Sequence, residues 1–338
     1  MKGSQVTIKD IAKELGISAS TVSRALKDHP DISVETKRMV NDLAKKLRYK
    51  PNAVALSLKS SRTNTIGVII PEIVHYFFSS VISGVEDVAY EAGYNVMIFQ
   101  SNEKYEREVT NAQALLSNRT EGVMVSVSKE THNFEHLHML EDSGIPLVFF
   151  DRIATGFTSD KVIIDDHKAA YTATQHLVKT GCKRIAHLAA PQNLAIGEKR
   201  LEGYKDALRD GGLPYKEEYV YPADSVELAE NAIEYLMHLP EPPDGIFANN
   251  DLTAIGAMKA LQRREYRVPE DVSIMGFSAG RFSDFTTPKL SSVDQHGYEM
   301  GAEATRILLK RIANPNYSYG DTKVVDTNLV IRESTRSI

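Results

Sequence analysis

The sequence predicts an α/β protein with a small three-helix head followed by two lobes, each a doubly wound parallel sheet. Three observations lead there. Residues 7–26, TIKDIAKELGISASTVSRAL, carry two short apolar stripes at helical spacing, broken at Gly16. From Thr65 onward, continuous Val/Ile-rich runs alternate with helical patterns, the signature of parallel sheets covered on both faces. The charge is also divided: thirteen basic and six acidic side chains through Arg62 give +7, leaving −12 on the remainder of a chain whose net charge is −5. A basic head on an acidic body points to a polyanion partner for the head alone.

At 338 residues the chain exceeds one core and suits two or three domains. The expected division is a head at 1–50, a hinge helix and linker at 51–64, and a core at 65–338. Within the core, one lobe covers about 65–163 and 296–323, and the other about 164–295 and 324–338.

In the head, Ile8, Ile11, Ala12 and Leu15 make the first stripe, and Val22 and Leu26 the second. Thr7 with Asp10 forms a capping box for the first helix, and Ser18 caps the second. Ala12 and Gly16 are small where the helices cross, and Val22 fills the angle between them. A third helix from about Ser33 places Val40, Leu43, Ala44 and Leu47 on one face. Two short helices in this arrangement form a helix-turn-helix, whose second helix presents its first residues to base edges in the DNA major groove. Its outward residues are Ala19, Ser20, Thr21, Ser23 and Arg24. An ordinary helical hairpin is the alternative, but a helix this polar has little to bury as one. Pro51 ends the third helix, and NAVALSL at 52–58 is too short to be helical alone in water.

In the body the expected strands are TIGVIIP, YNVMIFQ, EGVMVSV and IPLVFFD, then a second series opening with KVIID and continuing through RIAHLAA, DGIFANND and VSIMGF. Helices fill the intervals. In open α/β sheets ligands sit beyond the carboxyl ends of the strands. That rule singles out 71–78, Ser101 and Asn102, Asp151 and Arg152, 190–193, 249–251 and 278–281, facing one another across an interlobe cleft.

Several classes are excluded. A single cysteine, Cys182, allows no intrachain disulfide and fits a reducing cytoplasm, where it reads as a packing residue. The start, MKGSQVTIKD, lacks an apolar leader, and no apolar run approaches membrane-spanning length, so a cytoplasmic protein without membrane partners is expected. No phosphate loop, GxGxxG, GxSxG or HExxH occurs, so neither an enzyme nor a cofactor is expected. His132, His136 and His138 form the densest imidazole cluster, read as a solvated helix face rather than a zinc site.

These features together resemble the LacI–GalR family of bacterial transcription repressors. The resemblance runs nearly the whole length, through TIKDIAKELGISASTVSRAL, RYKPNAVALSLKSSRTNTIGVIIP, FFSSVISGVE, EGVMVSV, FFDR, KRLEGY, NNDLTAIGAMKAL, VPEDVSIMGF, TPKLSSV and LVIREST in that order. It implies a core like periplasmic sugar-binding proteins, a homodimer on a near-palindromic operator, and a small sugar-type effector that tunes affinity. Leu58 matches the hinge leucine that wedges into the minor groove, with Asn52, Ala53 and Ala55 lining that groove. In the head, Ala19, Ser20 and Arg24 are the expected base readers, with Arg24 suited to guanine, while Thr7, Thr21, Ser23 and Asn52 hold phosphate.

For the effector, the resemblance implies Asp151, Arg200, Asn250 and Asp251, and Phe77 and Phe78 are expected to stack on a ligand face. Asn250 and Asp251 also suit a helix cap. Ser278 stands where many relatives carry an acidic residue. With Arg281 near it, that departure points to an anionic effector such as a sugar phosphate. The absence of a leucine heptad tail points to a dimer rather than a tetramer, with contacts along the first lobe including the helix from Phe78 to Ala89. A protein co-regulator is the rival signal, with Tyr298, Glu299, Arg306 and Lys310 at helical spacing as its candidate surface.

Overall fold

The computed structural model describes residues 6–49, 62–315 and 320–337. The chain divides into two compact units, Met1–Thr63 and Asn64–Ile338.

The first unit holds α1 (Ile8–Leu15), α2 (Ala19–Leu26) and α3 (Val34–Lys46). α1 begins on the expected capping box, with Thr7 N donating to Asp10 Oδ2 at 2.8 Å and Asp10 N donating back to Thr7 Oγ1 at 3.4 Å. It ends at Gly16, whose φ of +65° is left-handed and open to glycine at no steric cost. Ser18 caps α2 by accepting from Thr21 N at 3.0 Å. Ile11, Val22 and Val40, one from each helix, are fully buried and gather Ala12, Ala25, Leu43 and Ala44 around them. The expected hinge residues Asn52, Ala53, Ala55 and Leu58 lie outside the described residues.

The second unit contains two six-stranded sheets. The first, ordered β11-β5-β4-β3-β1-β2, is parallel throughout and built from β1 (Thr65–Ile70), β2 (Asn95–Gln100), β3 (Gly122–Val125), β4 (Leu147–Phe150), β5 (Asp160–Ile164) and β11 (Thr322–Val325). The second, ordered β12-β10-β9-β8-β6-β7, uses β6 (Ile185–Ala189), β7 (Val220–Pro222), β8 (Gly245–Ala248), β9 (Ser273–Phe277), β10 (Ser291–Asp294) and β12 (Asn328–Val330). Every residue of β1, β3, β4, β6, β8 and β9 is buried, as sheets covered on both faces require.

Two details correct the sequence reading. KVIID does not open the second series: β5 lies within the first sheet, between β4 and β11. The second sheet is not wholly parallel, because β12 runs antiparallel to β10. β12 arrives from the other lobe directly after β11, without the crossover helix that parallel pairing within one sheet needs.

The covering helices are α4 (Tyr76–Glu91), α5 (Tyr105–Ser117), α6 (Glu135–Asp142), α7 (Asp166–Lys179), α8 (Ala195–Asp210), α9 (Val226–Met237), α10 (Asp251–Arg263) and α11 (Gly297–Ala313). α4 and α11 touch backbone to backbone: a Cβ on Gly84 would strike the Tyr298 carbonyl, and one on Gly301 the Val81 carbonyl. The chain passes between the lobes three times: from β5 into α7, from β10 into α11, and from β11 into β12. One apolar cluster runs through both lobes, joining Ile66, Met124 and Val148 of the first sheet to Phe247, Phe277 and Val293 of the second. Among the described residues no helix is long and apolar enough to cross a membrane.

Candidate functional site

The structure offers two candidate surfaces, one in each unit. In the head, Ala19, Ser20 and Arg24 are exposed on α2, while Thr21 and Ser23 are half-buried beside them. Ser18 Oγ lies 2.7 Å from Ser20 Oγ and 2.8 Å from Thr21 Oγ1, so the first turn carries a knot of hydroxyls. Thr7 is exposed, with its hydroxyl donating to Asp10 Oδ2 at 2.7 Å. The six expected head residues that the structure describes therefore sit at the start of α1 and along α2. Short side chains let the helix approach a base edge closely, and Arg24 supplies the long donor fork.

In the second unit, a cavity of ≈ 450 Å³ lies between the carboxyl ends of the two sheets, within the range of small-ligand pockets. The first lobe contributes Phe77, Phe78, Lys129, Asp151 and Arg152. The second contributes Leu194, Arg200, Asp224, Asn249 and Ser278, with Gln295 at a lobe crossing.

Asp151 follows β4 with a φ of +57° and is only 7 % exposed. Among the described residues its one hydrogen-bond donor is Ser126 Oγ, at a long 3.5 Å, and Arg152 Nε stands 3.9 Å away. Burial pushes its carboxyl up to about 6; Arg152 and Arg200 oppose the shift, and Asp166 adds to it. A carboxylate stripped of water and poorly repaid by donors is ready for a ligand that brings donors.

Arg200 rises from α8 and is 5 % exposed. Its Nε donates to Asp166 Oδ1 at 2.7 Å, its Nη1 donates to the Asn249 carbonyl at 2.8 Å, and its guanidinium lies 3.8 Å from the Phe277 ring centre. Nη2 has no protein acceptor among the described residues. Phe77 and Phe78 meet edge to face at 5.2 Å, and each serves both the apolar core and the cavity wall.

Ser278 and Ala279 take successive positive φ values of 126° and 48°, reversing the chain just after β9. Ser278 Oγ donates to Gln295 Oε1 at 3.0 Å. Gln295 is 2 % exposed, lines the cavity, and its Nε2 has no hydrogen-bond partner among the described residues. A buried donor left unpaired is costly, so this amide is a place for a ligand acceptor.

Other expectations are corrected. Asp251 does not line the main cavity: its carboxylate accepts from Ser292 Oγ at 2.6 Å, Gly280 N at 2.7 Å and Ser283 Oγ at 3.0 Å, pinning the loop after β9 to α10. Burial raises its pKa against those three donors. Asn250 fits both expected uses: it reaches the cavity, and it caps α10 through Oδ1, which accepts from Thr253 N at 2.8 Å, while its Nδ2 donates to Asn249 Oδ1 at 2.9 Å. Arg281 is exposed and absent from the cavity wall, so it brings no charge to a ligand there. The wall carries the carboxylates of Glu72, Glu103, Asp151, Asp224 and Glu227 against the cations Lys129, Arg152 and Arg200. Each of those cations already has a carboxylate partner.

The histidine cluster is not one solvated face. His136 is buried with its Nε2 3.0 Å from Glu108 Oε1, while His138 stacks on Phe157 at 4.1 Å. Among the described residues no cluster suited to a metal ion occurs. On α11, Tyr298 Oη donates to Asp87 Oδ2 at 2.9 Å and Arg306 pairs with Glu303, so both are tied to neighbours on their own lobe.

Sequence reasoning missed Lys129, Asp224 and Gln295. All three follow strand ends, after β3, β7 and β10, so the same strand-end rule, applied to every strand, finds them.

Comparison with known proteins bears on both surfaces. Residues 7–52 match the family model described as bacterial regulatory proteins of the lacI family, and residues 63–331 match the model for periplasmic binding proteins and the sugar-binding domain of the LacI family. Catabolite control protein A of Priestia megaterium is 34% identical over 96% of this chain and 96% of its own length. The HTH-type transcriptional repressor CytR of Escherichia coli K12 is 32% identical, covering 98% of this chain and 97% of that protein. A solved complex of the transcriptional regulator CelR with cellobiose aligns with a TM-score of 0.74 at 28% identity, covering 98% of this chain and 100% of that one.

Proposed function

The chain belongs to the LacI family of bacterial transcriptional regulators, and from that premise we propose that it represses carbohydrate-related genes under the control of a neutral, sugar-type effector. It is a DNA-binding repressor of that family, not an enzyme. In this reading two copies set their α2 helices into successive major grooves of a near-palindromic operator, and the effector binds between the lobes of the core.

The observation that carries the effector reading is the set of unengaged polar groups in one cavity. The Asp151 carboxylate accepts from vicinal hydroxyls, while Arg200 Nη2 and Gln295 Nε2 donate to ring or hydroxyl oxygens. Phe77, Phe78 and Leu194 supply apolar wall. A neutral polyol satisfies all three groups, whereas a phosphate adds negative charge to a wall already rich in carboxylates. The family model that matches the core is named for sugar binding, and the CelR structure is a cellobiose complex, which supports the same reading.

The dimer reading rests on exposed apolar groups. Phe282 and Phe285 are 63% and 83% exposed and, with Val74, Ile255 and Met258, line a shallow apolar hollow on the surface of the core. The helix expected to make dimer contacts, α4, has one face covered by α11 within the chain, so only its outer face is offered to a second copy.

Calorimetry against neutral mono- and disaccharides and their phosphorylated counterparts tests the effector reading. A neutral sugar is expected to bind and its phosphate to bind more weakly. Binding of phosphorylated sugars alone contradicts it.

A further inference from the structure

One residue joins the two lobes twice across the cleft. Lys129 Nζ, from the first lobe, lies 2.9 Å from Asp224 Oδ2 of the second. The Lys129 carbonyl accepts from Asn193 Nδ2, also of the second lobe, at 2.6 Å. Side chain and main chain of a single position thus grip the strand-end loops that follow β7 and β6.

The base of this arm is held from beneath by buried carboxylates. Lys129 N donates to Glu103 Oε2 at 2.8 Å, and Glu103 also receives Arg152 Nη1 at 2.8 Å. The preceding Ser128 N donates to Glu108 Oε2 at 2.7 Å, and Glu108 additionally accepts from Thr131 Oγ1 at 2.9 Å. Glu108 is fully buried; burial pushes its pKa up, but the bonds from His136, Ser128 and Thr131 outweigh that and hold it low. A side chain rooted this firmly transmits force to its own lobe instead of swinging on a loose loop.

Its place in the topology gives it leverage. The lobe crossings involve β5, β11, β10 and β12, which occupy one edge region of each sheet. Asp224 follows β7, the strand at the opposite edge of the second sheet, and Asn193 follows β6 beside it. A contact far from the hinge side resists opening with the longest lever arm. Both members of the ion pair also line the cavity, with side chains 36% and 23% exposed, so solvent screens the pair only in part.

We propose that Lys129 with Asp224 and Asn193 is an interlobe latch that stabilises the closed arrangement of the lobes. Opening breaks the latch and admits the effector. The latch thereby sets the population of the closed core that any ligand has to shift.

The test uses the full-length, ligand-free chain, with spin labels on Glu106→Cys in the first lobe and Asn231→Cys in the second. Both positions are exposed, while the native Cys182 is fully buried and unreactive. Labelled chain is diluted into unlabelled chain, and the interlobe distance is read by pulsed dipolar spectroscopy. The unmodified latch is expected to give one short population. Lys129→Gln and Asp224→Asn are each expected to add a longer one, and Lys129→Glu combined with Asp224→Lys to restore the short one. Identical distributions for all variants overturn the proposal. Single variants that open the cleft without rescue by the charge exchange also overturn the ion pair as its basis. Neither result depends on which effector the cleft takes.

Discussion

The two lobes of the core hold matching carboxylates with opposite fates. Asp151 and Asp251 are both buried, both follow a strand end, and burial raises the pKa of both. Asp251 is met by three short hydrogen bonds from its own lobe, while Asp151 meets one long one. One holds a loop in place and the other faces a cavity. Position after a strand therefore nominates a residue, and hydrogen-bonding capacity left unengaged decides whether it serves structure or ligand. The same distinction separates Asn250, engaged as a helix cap, from Gln295, whose amide nitrogen has no partner.

Substitution at Asp251 should have the largest effect. Asp251→Ala orphans the Gly280 amide and the buried Ser283 hydroxyl and leaves the Ser292 hydroxyl only a long bond to the Val293 carbonyl, and a loss of about 3 kcal/mol is expected in urea unfolding. A loss below about 1 kcal/mol contradicts a structural role for Asp251.

Asp151→Asn is expected to go the other way, raising stability near neutral pH by on the order of 2 kcal/mol, because a buried acid titrating at about 6 costs more ionised than a neutral amide does. The sign follows from proton binding. Between the ordinary aspartate value of 3.8 and about 6, the folded chain holds a proton that the unfolded chain releases. Asp151's contribution to stability therefore falls as pH rises through that window and is flat above it. Melting temperatures across the window should separate wild type from Asp151→Asn progressively, and parallel curves contradict the assignment. The same group makes effector affinity weaken as pH falls below about 6, where the acceptor is lost.

In the head, Arg24→Ala is expected to weaken operator binding by about 1–3 kcal/mol and to relax preference at one base pair. An operator-variant titration reads both effects. The smallest change is at Gln295: Gln295→Ala should lower effector affinity by about 1 kcal/mol, and among the described residues its cost in unfolding comes through the Oε1 that accepts from Ser278 Oγ, since Nε2 has no protein partner there.

What was legible in the sequence was local. The Thr7–Asp10 capping box, the left-handed stop at Gly16, the Ser18 cap and the three head helices all rest on residues a few positions apart. In the core, the alternation of strands and helices and the placement of Phe77, Phe78, Asp151, Arg200 and Ser278 on one cavity were legible from strand ends and resemblance together. Long-range partnership was not. Asp251's donors lie 29, 32 and 41 residues away, and nothing in NNDLTAIG announces them. His136 looked like one turn of a polar helix until Glu108, 28 residues earlier, came beneath it. β7 has only three residues, too few for a periodic pattern, and the antiparallel β12 depends on a lobe crossing that no local signal marks.

The central claim is that occupancy of the cleft at Asp151 changes the grip of the head on DNA. The direct measurement is fluorescence anisotropy of purified protein on an inverted-repeat duplex against a random one, at fixed salt, with and without the neutral sugar found by calorimetry, for wild type and Asp151→Asn. We predict a preference for the inverted repeat that the sugar shifts in wild type and leaves unmoved in Asp151→Asn. Equal affinity for both duplexes, or a variant that responds to the sugar as fully as wild type, contradicts the account.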